Sequence, residues 1–560
     1  MHSSRRHQQL RSFVLQHRRG TGWLIVTALA IFLPVLYTPY WQAQDDPWIA
    51  MLIFGYGLAE TPTITIPFSN FTWAWLVQQF PDFLDISAYT WALYSFTWLA
   101  LLVIWNVLCI RKKLFFVKLI FLVCLCFYAF LNPQYTVTAL YCAIAGILTL
   151  CFPLRRYTWS RLIIIALMLI LSFIIRHECL YPILMIGVIY IPWRRLARDK
   201  KAVFCALVTM ALTGSLYYAD HSMKSGAEQL AISDWHDMRV KLSDGQVGDM
   251  LAHQPAILEK FGLSKNDMRI LCTQFSGDAD LRDLGRLKQM CAEIPPHFYF
   301  FQKLEEIKKT FLHFMDAPLF FLVVAVLLLL AARIDRKRAL AILLFIGEFI
   351  LIGYMSRGGS LIDRVYFPLT FYVIALLLLT ENSHNTDDFR ILFDIQLLKG
   401  KRTYGTITNR KLIPIATSVL LIITLMSFSG ANLIQQWRLS QYDIPASRAA
   451  LDNSFWFGYH YPLDWIYPPF GSLSEIKDLK FQCSGWPLVE QGSRKYFDHK
   501  DPLAFKKFLA EGYRFSMGAD DLKKLRIYCK EHLAGELEYT LESDERTLPI
   551  YFARCVPTGH

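Results

Sequence analysis

The stretch WLIVTALAIFLPVLYTPYWQAQDDPW, Trp23–Trp48, runs an apolar segment directly into two adjacent carboxylates. Trp23–Tyr40 carries no charge, and a bilayer takes about 20 such residues to cross. Asp45 and Asp46 therefore stand where the chain leaves the membrane. Carboxylates are costly to desolvate at that depth and are functional candidates by default. Asp46-Pro47 also suits a solvated turn. The pair reads either as a turn starter or as an acid pair working at the water–lipid boundary, and the rest of the chain has to decide.

The composition sets the class. Of 560 residues, 54% are hydrophobic and only 19% are charged, below the roughly 25% of a soluble domain. Mean hydropathy is +0.31. This describes a polytopic helical membrane protein whose first partner is the lipid bilayer. The net charge of +12 does not signal nucleic acid, because the basic residues cluster in short turns between apolar runs. Arg5, Arg6, Arg11, Arg18 and Arg19 precede the first run, and no small-residue cleavage site follows it, so the run reads as a retained first helix.

Eleven apolar spans are predicted, near 23–40, 88–110, 114–131, 135–152, 161–176, 179–193, 202–219, 316–333, 339–356, 363–380 and 412–430. Basic clusters occupy alternate turns: Arg111-Lys112-Lys113, Arg155-Arg156, Arg194-Arg195 with Lys200-Lys201, Arg333 with Arg336-Lys337-Arg338, and Lys399 to Lys411. Eleven helices with the N-terminus (1–22) inside put all of them in the cytoplasm. That topology suits a bacterial inner (cytoplasmic) membrane and a periplasmic C-terminus.

The outer side then receives the 41–87 loop, a polar helical insertion at 220–310, and a small α/β domain at 431–560. Between the insertion and the C-terminal domain, 311–430 holds the last four spans, as 23–219 holds the first seven. Within the first loop, Pro47–Gly57 and Phe71–Phe80 are apolar but shorter than a span, which suits interfacial helices or a packed re-entrant loop. Ser264-Lys-Asn-Asp-Met reads as a capped helix start. Cys272 and Cys291 would pair in an oxidising compartment, while Cys483, Cys529 and Cys555 leave one of three unpaired or paired elsewhere. Helices are expected near 502–511 and 519–532, and strands near 537–542 and 549–556. No CxxC pattern, Rossmann fingerprint or P-loop occurs.

Titratable and cationic residues converge on the predicted outer side from separate turns: Asp45 and Asp46, then Arg176-His177-Glu178, then Arg357, Asp363 and Arg364. An Arg176–Glu178 pair satisfying itself is the plain alternative, and Arg357 and Arg364 could equally anchor the interface. Together, the acids could deprotonate a hydroxyl or hold a divalent cation. The arginines could hold a phosphate leaving group.

A first helix with its N-terminus inside, an outer loop carrying Asp45-Asp46 near its start and short apolar helices after it resembles the GT-C superfamily of polyprenyl-phosphate-sugar-dependent glycosyltransferases. The likeness covers about residues 20–380. It implies Asp45 and Asp46 as base or metal ligands, with Mg2+ or Mn2+ as the cation. It implies basic residues of later outer loops as phosphate contacts, a polyprenyl-phosphate-linked sugar donor, and a glycan or lipid acceptor. Topology and charge, with no matched motif, give those phosphate and substrate contacts to Arg176, His177, Glu178, Arg357, Asp363 and Arg364. Asn132-Pro133-Gln134 stands where that superfamily would carry a second acidic motif. Trp235-His-Asp-Met-Arg239 and Gly262–Asp267 also resemble uncharacterised multi-pass proteins of bacterial surface-polysaccharide clusters. A polymerase or O-antigen ligase acting on undecaprenyl diphosphate is the nearest alternative. A transporter is the alternative from another class, although its charges would sit at the bilayer midplane.

Overall fold

A computed structural model describes residues 17–295 and 318–558, with Leu304, Lys308 and Leu312, less 112, 154–156, 244–246, 274, 276, 333–334, 356–362, 381–408, 458–465, 485–492, 494, 499 and 544–546. The membrane part contains α1 (Arg18–Leu36), α2 (Asp45–Phe54), α3 (Phe71–Gln78), α4 (Ala88–Leu108), α5 (Phe115–Leu131), α6 (Tyr135–Cys151), α7 (Trp159–Arg176), α8 (Leu180–Gly187), α9 (Trp193–Arg198) and α10 (Lys200–Met223). It resumes after the insertion with α14 (Leu319–Ala332), α15 (Arg336–Met355), α16 (Asp363–Thr380) and α17 (Asn409–Leu439). Helix α6 lies at the centre, buried along almost its whole length, between α4, α7, α8 and α16.

The count of eleven spans does not stand. Among the described residues, six helical stretches are both long and apolar enough to cross a membrane; α5, α6 and the α14 stretch are shorter. One of the six, Trp159–Gly187, is not a single rod. At Arg176 the backbone becomes extended (φ −163°, ψ 101°) before a short 3-10 turn. Cys179 Sγ then meets the Thr136 carbonyl at the start of α6, and Cys151 Sγ at its end meets the Gly187 carbonyl. Helix α8 thus runs back alongside α7. Its eight residues rise only about 12 Å, well short of a bilayer, and it fills a gap between α6, α15 and α16. Helix α15 is long enough but carries Arg336, Lys337, Arg338 and Glu348.

The bundle has two chemically distinct ends. At one, Arg161 donates to the carbonyls of Thr149 and Phe152, Lys118 to those of Leu108 and Arg111, and buried Arg338 to the Leu377 carbonyl and the Thr380 hydroxyl. At the other lie Asp45, Gln134, Arg176 and Asp363. Of the two forms expected there, helix α2 takes the packed one: every residue from Asp46 to Ile53 is buried. Its C-terminus is closed by Gly55 at φ +72°, with Pro62 packed where a Cβ would stand. Helix α3 is amphipathic, with Trp73 buried and Trp75 half-exposed.

The insertion and the C-terminal region are not two bodies. Helices α11 (Ala227–Leu242), α12 (Lys265–Cys272) and α13 (Leu284–Ala292) share one apolar core with α19 (Ala504–Glu511), α20 (Ala519–Leu533) and the C-terminal sheet. Asp267, which closes the expected capping box with Ser264, is also 2.7 Å from His532 of α20. Helix α18 (Ile444–Leu451) leads into the sheet, whose strands β1 (Ser454–Trp456), β2 (Phe481–Cys483), β3 (Tyr513–Ser516), β4 (Gly535–Leu541) and β5 (Ile550–Pro557) have the order β2-β1-β3-β5-β4. β1 is parallel to β2 and β3, and β5 is antiparallel to β3 and β4. Only β4 and β5 were legible as strands, because β1–β3 are just three or four residues long.

Cys272 and Cys291 are not joined to each other, so the expected disulfide is not formed. Cys272 Sγ is turned toward the Leu242 carbonyl. The disulfide joins Cys529 to Cys555, across a Cα separation of 5.8 Å, and buried Cys483 stays outside it.

This compound domain is seated on the site end of the bundle. Trp41 Nε1 donates to the Tyr467 carbonyl at 2.7 Å and Thr90 Oγ1 to that of Pro469 at 2.7 Å. Trp48 packs edge-on against Trp456.

Candidate functional site

The two aspartates occupy the first turn of α2, where the exposed amide dipoles favour negative charge. From Asp46 onward α2 is buried on every side, so only its first residue, Asp45, keeps contact with solvent, and the neighbours have opposite fates. Asp46 turns inward and has no exposure. Its Oδ1 accepts from Tyr89 Oη at 2.9 Å and from the Tyr135 backbone amide at 3.0 Å. Its Oδ2 is buried with no hydrogen-bond partner. Burial, only partly offset by those donors, pushes its carboxyl up to about 8. Asp45 turns outward and is partly exposed, with Oδ2 3.6 Å from Arg364 Nη1 at the start of α16.

Arg176 ends α7 beside this pair. Its Nη1 donates to Tyr135 Oη at 2.9 Å and Thr136 Oγ1 at 2.8 Å, and its guanidinium lies 5.3 Å from the Tyr135 ring centre. Tyr135 thus links the two halves: its amide holds Asp46 and its hydroxyl holds Arg176. The α6 start that supplies it is built by Gln134, whose side-chain oxygen caps Val137 N at 3.1 Å. A glutamine thus stands there as a backbone cap where a second acidic motif was sought. Its Nε2 is buried without a partner.

Four sequence-distant turns meet here: 42–46, 134–136, 176 and 363–364. Tyr128 closes the ring, bonding Gln42 Nε2 at 2.9 Å and the Asp363 carbonyl at 3.0 Å. His177 and Glu178 do not join as expected. They pair with each other at 3.6 Å and are each at least two-fifths exposed. Glu178 also lies 3.8 Å from Arg176 Nε, the self-satisfying contact already weighed from sequence. Arg357 falls outside the described residues. Sequence reasoning missed Gln42, Tyr89, Tyr128, Tyr135 and Thr136. Nothing in their local pattern marks them, because aromatic and small polar residues are ordinary in apolar helices.

No known family model, curated protein or solved structure matches this chain. The chemistry of the cluster therefore carries the functional reading by itself.

In the acid pair, Asp46 Oδ1 already accepts two hydrogen bonds and Asp45 faces a guanidinium, which leaves Asp46 Oδ2 as the uncommitted buried oxygen that could serve a cation. Among the described residues, the one group of three ligand-type side chains close enough to share an ion is Asp267, Glu531 and His532, in the domain above.

Proposed function

We propose that the chain is a membrane glycosyltransferase of GT-C type. It transfers a sugar from a polyprenyl-phosphate donor to a hydroxyl of a glycan or lipid acceptor, on the extracytoplasmic side of a bacterial inner membrane. The observation that carries this reading is the partly exposed Asp45 carboxylate held 3.6 Å from Arg364, with Arg176 close by, at one end of an apolar bundle. A base and two guanidiniums at that depth suit a donor whose tail is in lipid and whose phosphate is at the interface.

Asp45 is the base, since it alone of the two acids reaches solvent. As the acceptor oxygen bonds to the anomeric carbon, its proton passes to Asp45 and the bond from that carbon to the phosphate oxygen breaks. The polyprenyl phosphate leaves with the electron pair, and Arg364 and Arg176 stabilise the charge it gains. Asp46 positions the acid pair through Tyr89 and Tyr135 and takes no proton from substrate.

The test is transfer of radiolabelled sugar from a polyprenyl phosphate by the purified chain, together with surface-glycan scoring of a strain carrying Asp45→Asn. Loss of product with the fold retained supports the reading. Full product from a folded Asp45→Asn protein would sink the base assignment. Turnover with diphosphate-linked glycan alone would turn the reading toward a polymerase or ligase.

A further inference from the structure

At the opposite end of the bundle, an open cleft of about 640 Å3 lies between the start of α7 and the α9–α10 turn. Arg194, Arg195, Arg198, Lys200 and Lys201 line it, together with buried Tyr157. Three buried or half-buried cations at this end are spent on the protein itself: Arg161 and Lys118 on carbonyls, and Arg338 on Asp335, Thr380 and two carbonyls. Among the described residues, none of the five side chains in the cleft makes a hydrogen bond or an ion pair. The one acid there, Asp199, is engaged elsewhere, its Oδ1 capping the amides of Lys201 and Ala202.

The surroundings indicate what neutralises these charges. Trp159 and Trp193 flank the cleft, each about half-exposed, and Lys201 Nζ lies 5.9 Å from the Trp159 ring centre. Tryptophans at that level mark the lipid headgroup region. Helix α10, which rises from the cleft, is apolar and exposed along most of its surface, so acyl chains would lie along it. A general orienting charge would be satisfied by any basic turn. Five unpartnered cations around one concavity, beside an acyl-accessible helix, make a recessed site for a phosphodiester.

We propose that this cleft binds the headgroup of an anionic phospholipid, with the phosphate among Arg195, Arg198 and Lys201 and the acyl chains along α10. The site is separate from the Asp45–Arg364 cluster and does not depend on its function.

The test uses the full chain in detergent, with native mass spectrometry of lipid adducts in mixtures of phosphatidylglycerol and phosphatidylcholine, and a separate titration with inorganic phosphate. The variant is Arg195→Gln/Arg198→Gln/Lys201→Gln, all on exposed side chains. The control, Arg111→Gln/Arg336→Gln/Lys337→Gln, removes the same charge from other turns of this end. The wild type should retain phosphatidylglycerol selectively. The cleft variant should bind it on the order of a hundred-fold more weakly, and the control should match wild type. Equal loss in the control, or no preference over phosphatidylcholine, would overturn the proposal. Displacement of the lipid by millimolar phosphate would reassign the cleft to a free anion.

Discussion

Tyr89 donates its phenolic hydrogen to Asp46 Oδ1 at 2.9 Å, in a spot that no solvent reaches. That contact separates two neighbouring aspartates into different roles. The inward one is an uncharged strut shared by α2, α4 and α6, and the outward one is left to do chemistry beside Arg364.

The Asp46 environment predicts a pH signature. Its carboxyl is raised in the folded chain from an ordinary 3.8 to about 8, so folding takes up a proton between those values. Its stabilisation is fully present below about pH 4 and is lost as pH rises through about 8. Asp46→Asn, which keeps the shape and cannot ionise, should flatten the fall of the melting temperature across that window. The difference should be on the order of a few kcal/mol. An unchanged pH profile would mean that Asp46 is charged in place. Tyr89→Phe should cost about 1–3 kcal/mol by removing a donor from a buried acceptor.

Asp45→Asn should lower transfer by about 10²–10⁴-fold with an unaltered melting curve, because its side chain is partly exposed and its one ion pair is long. Arg364→Gln should also lower transfer, with part of the loss appearing as a weaker KM for the phosphate-bearing donor. If Asp46→Asn were the more damaging of the two acid substitutions to kcat, with folding intact, the roles assigned to the pair would be reversed.

His532 and Asp267 couple the insertion to the C-terminal region. Burial works to lower the His532 pKa, but the hydrogen bond and negative charge of Asp267 raise it above the ordinary 6.5. This contact therefore stabilises fully below that value and weakens as pH rises through the higher folded one. His532→Gln should remove the dependence. Hydrogen exchange over Lys265–Cys272 that rises with pH beyond the intrinsic rate in wild type, but not in the variant, is the readout. Equal profiles would reject the coupling.

The cysteine arrangement can be read directly. Non-reducing peptide mapping should recover Cys529 linked to Cys555, with Cys272 and Cys291 alkylated only on unfolding. Reduction should cost about 3 kcal/mol for a loop of this length. A Cys272–Cys291 peptide would restore the pairing expected from sequence.

Legibility followed the range of the interactions. The apolar runs, the helix start at Ser264 and the strands near 537–542 and 549–556 were readable because local pattern governs them. Span counting failed because composition does not fix helix length: α5, α6 and the α14 stretch are shorter than the apolar runs suggested, and α8 has only eight helical residues. Disulfide pairing failed because proximity in sequence says nothing of how thiols face.

Hydropathy and charge spacing alone determined that this is a membrane protein with acids at the end of its first span and cations gathered in later turns. Those properties are sums over neighbouring residues, and a linear chain displays them. Only the tertiary structure decided that Asp46 is buried and Asp45 is not, that Tyr135 joins Asp46 to Arg176, and that Arg364 reaches Asp45 from far along the chain. The reason is physical: desolvation and hydrogen-bond partnership depend on which surfaces the packed helices bring together. The difference between two adjacent aspartates acquires meaning only once α2 is covered from Asp46 onward.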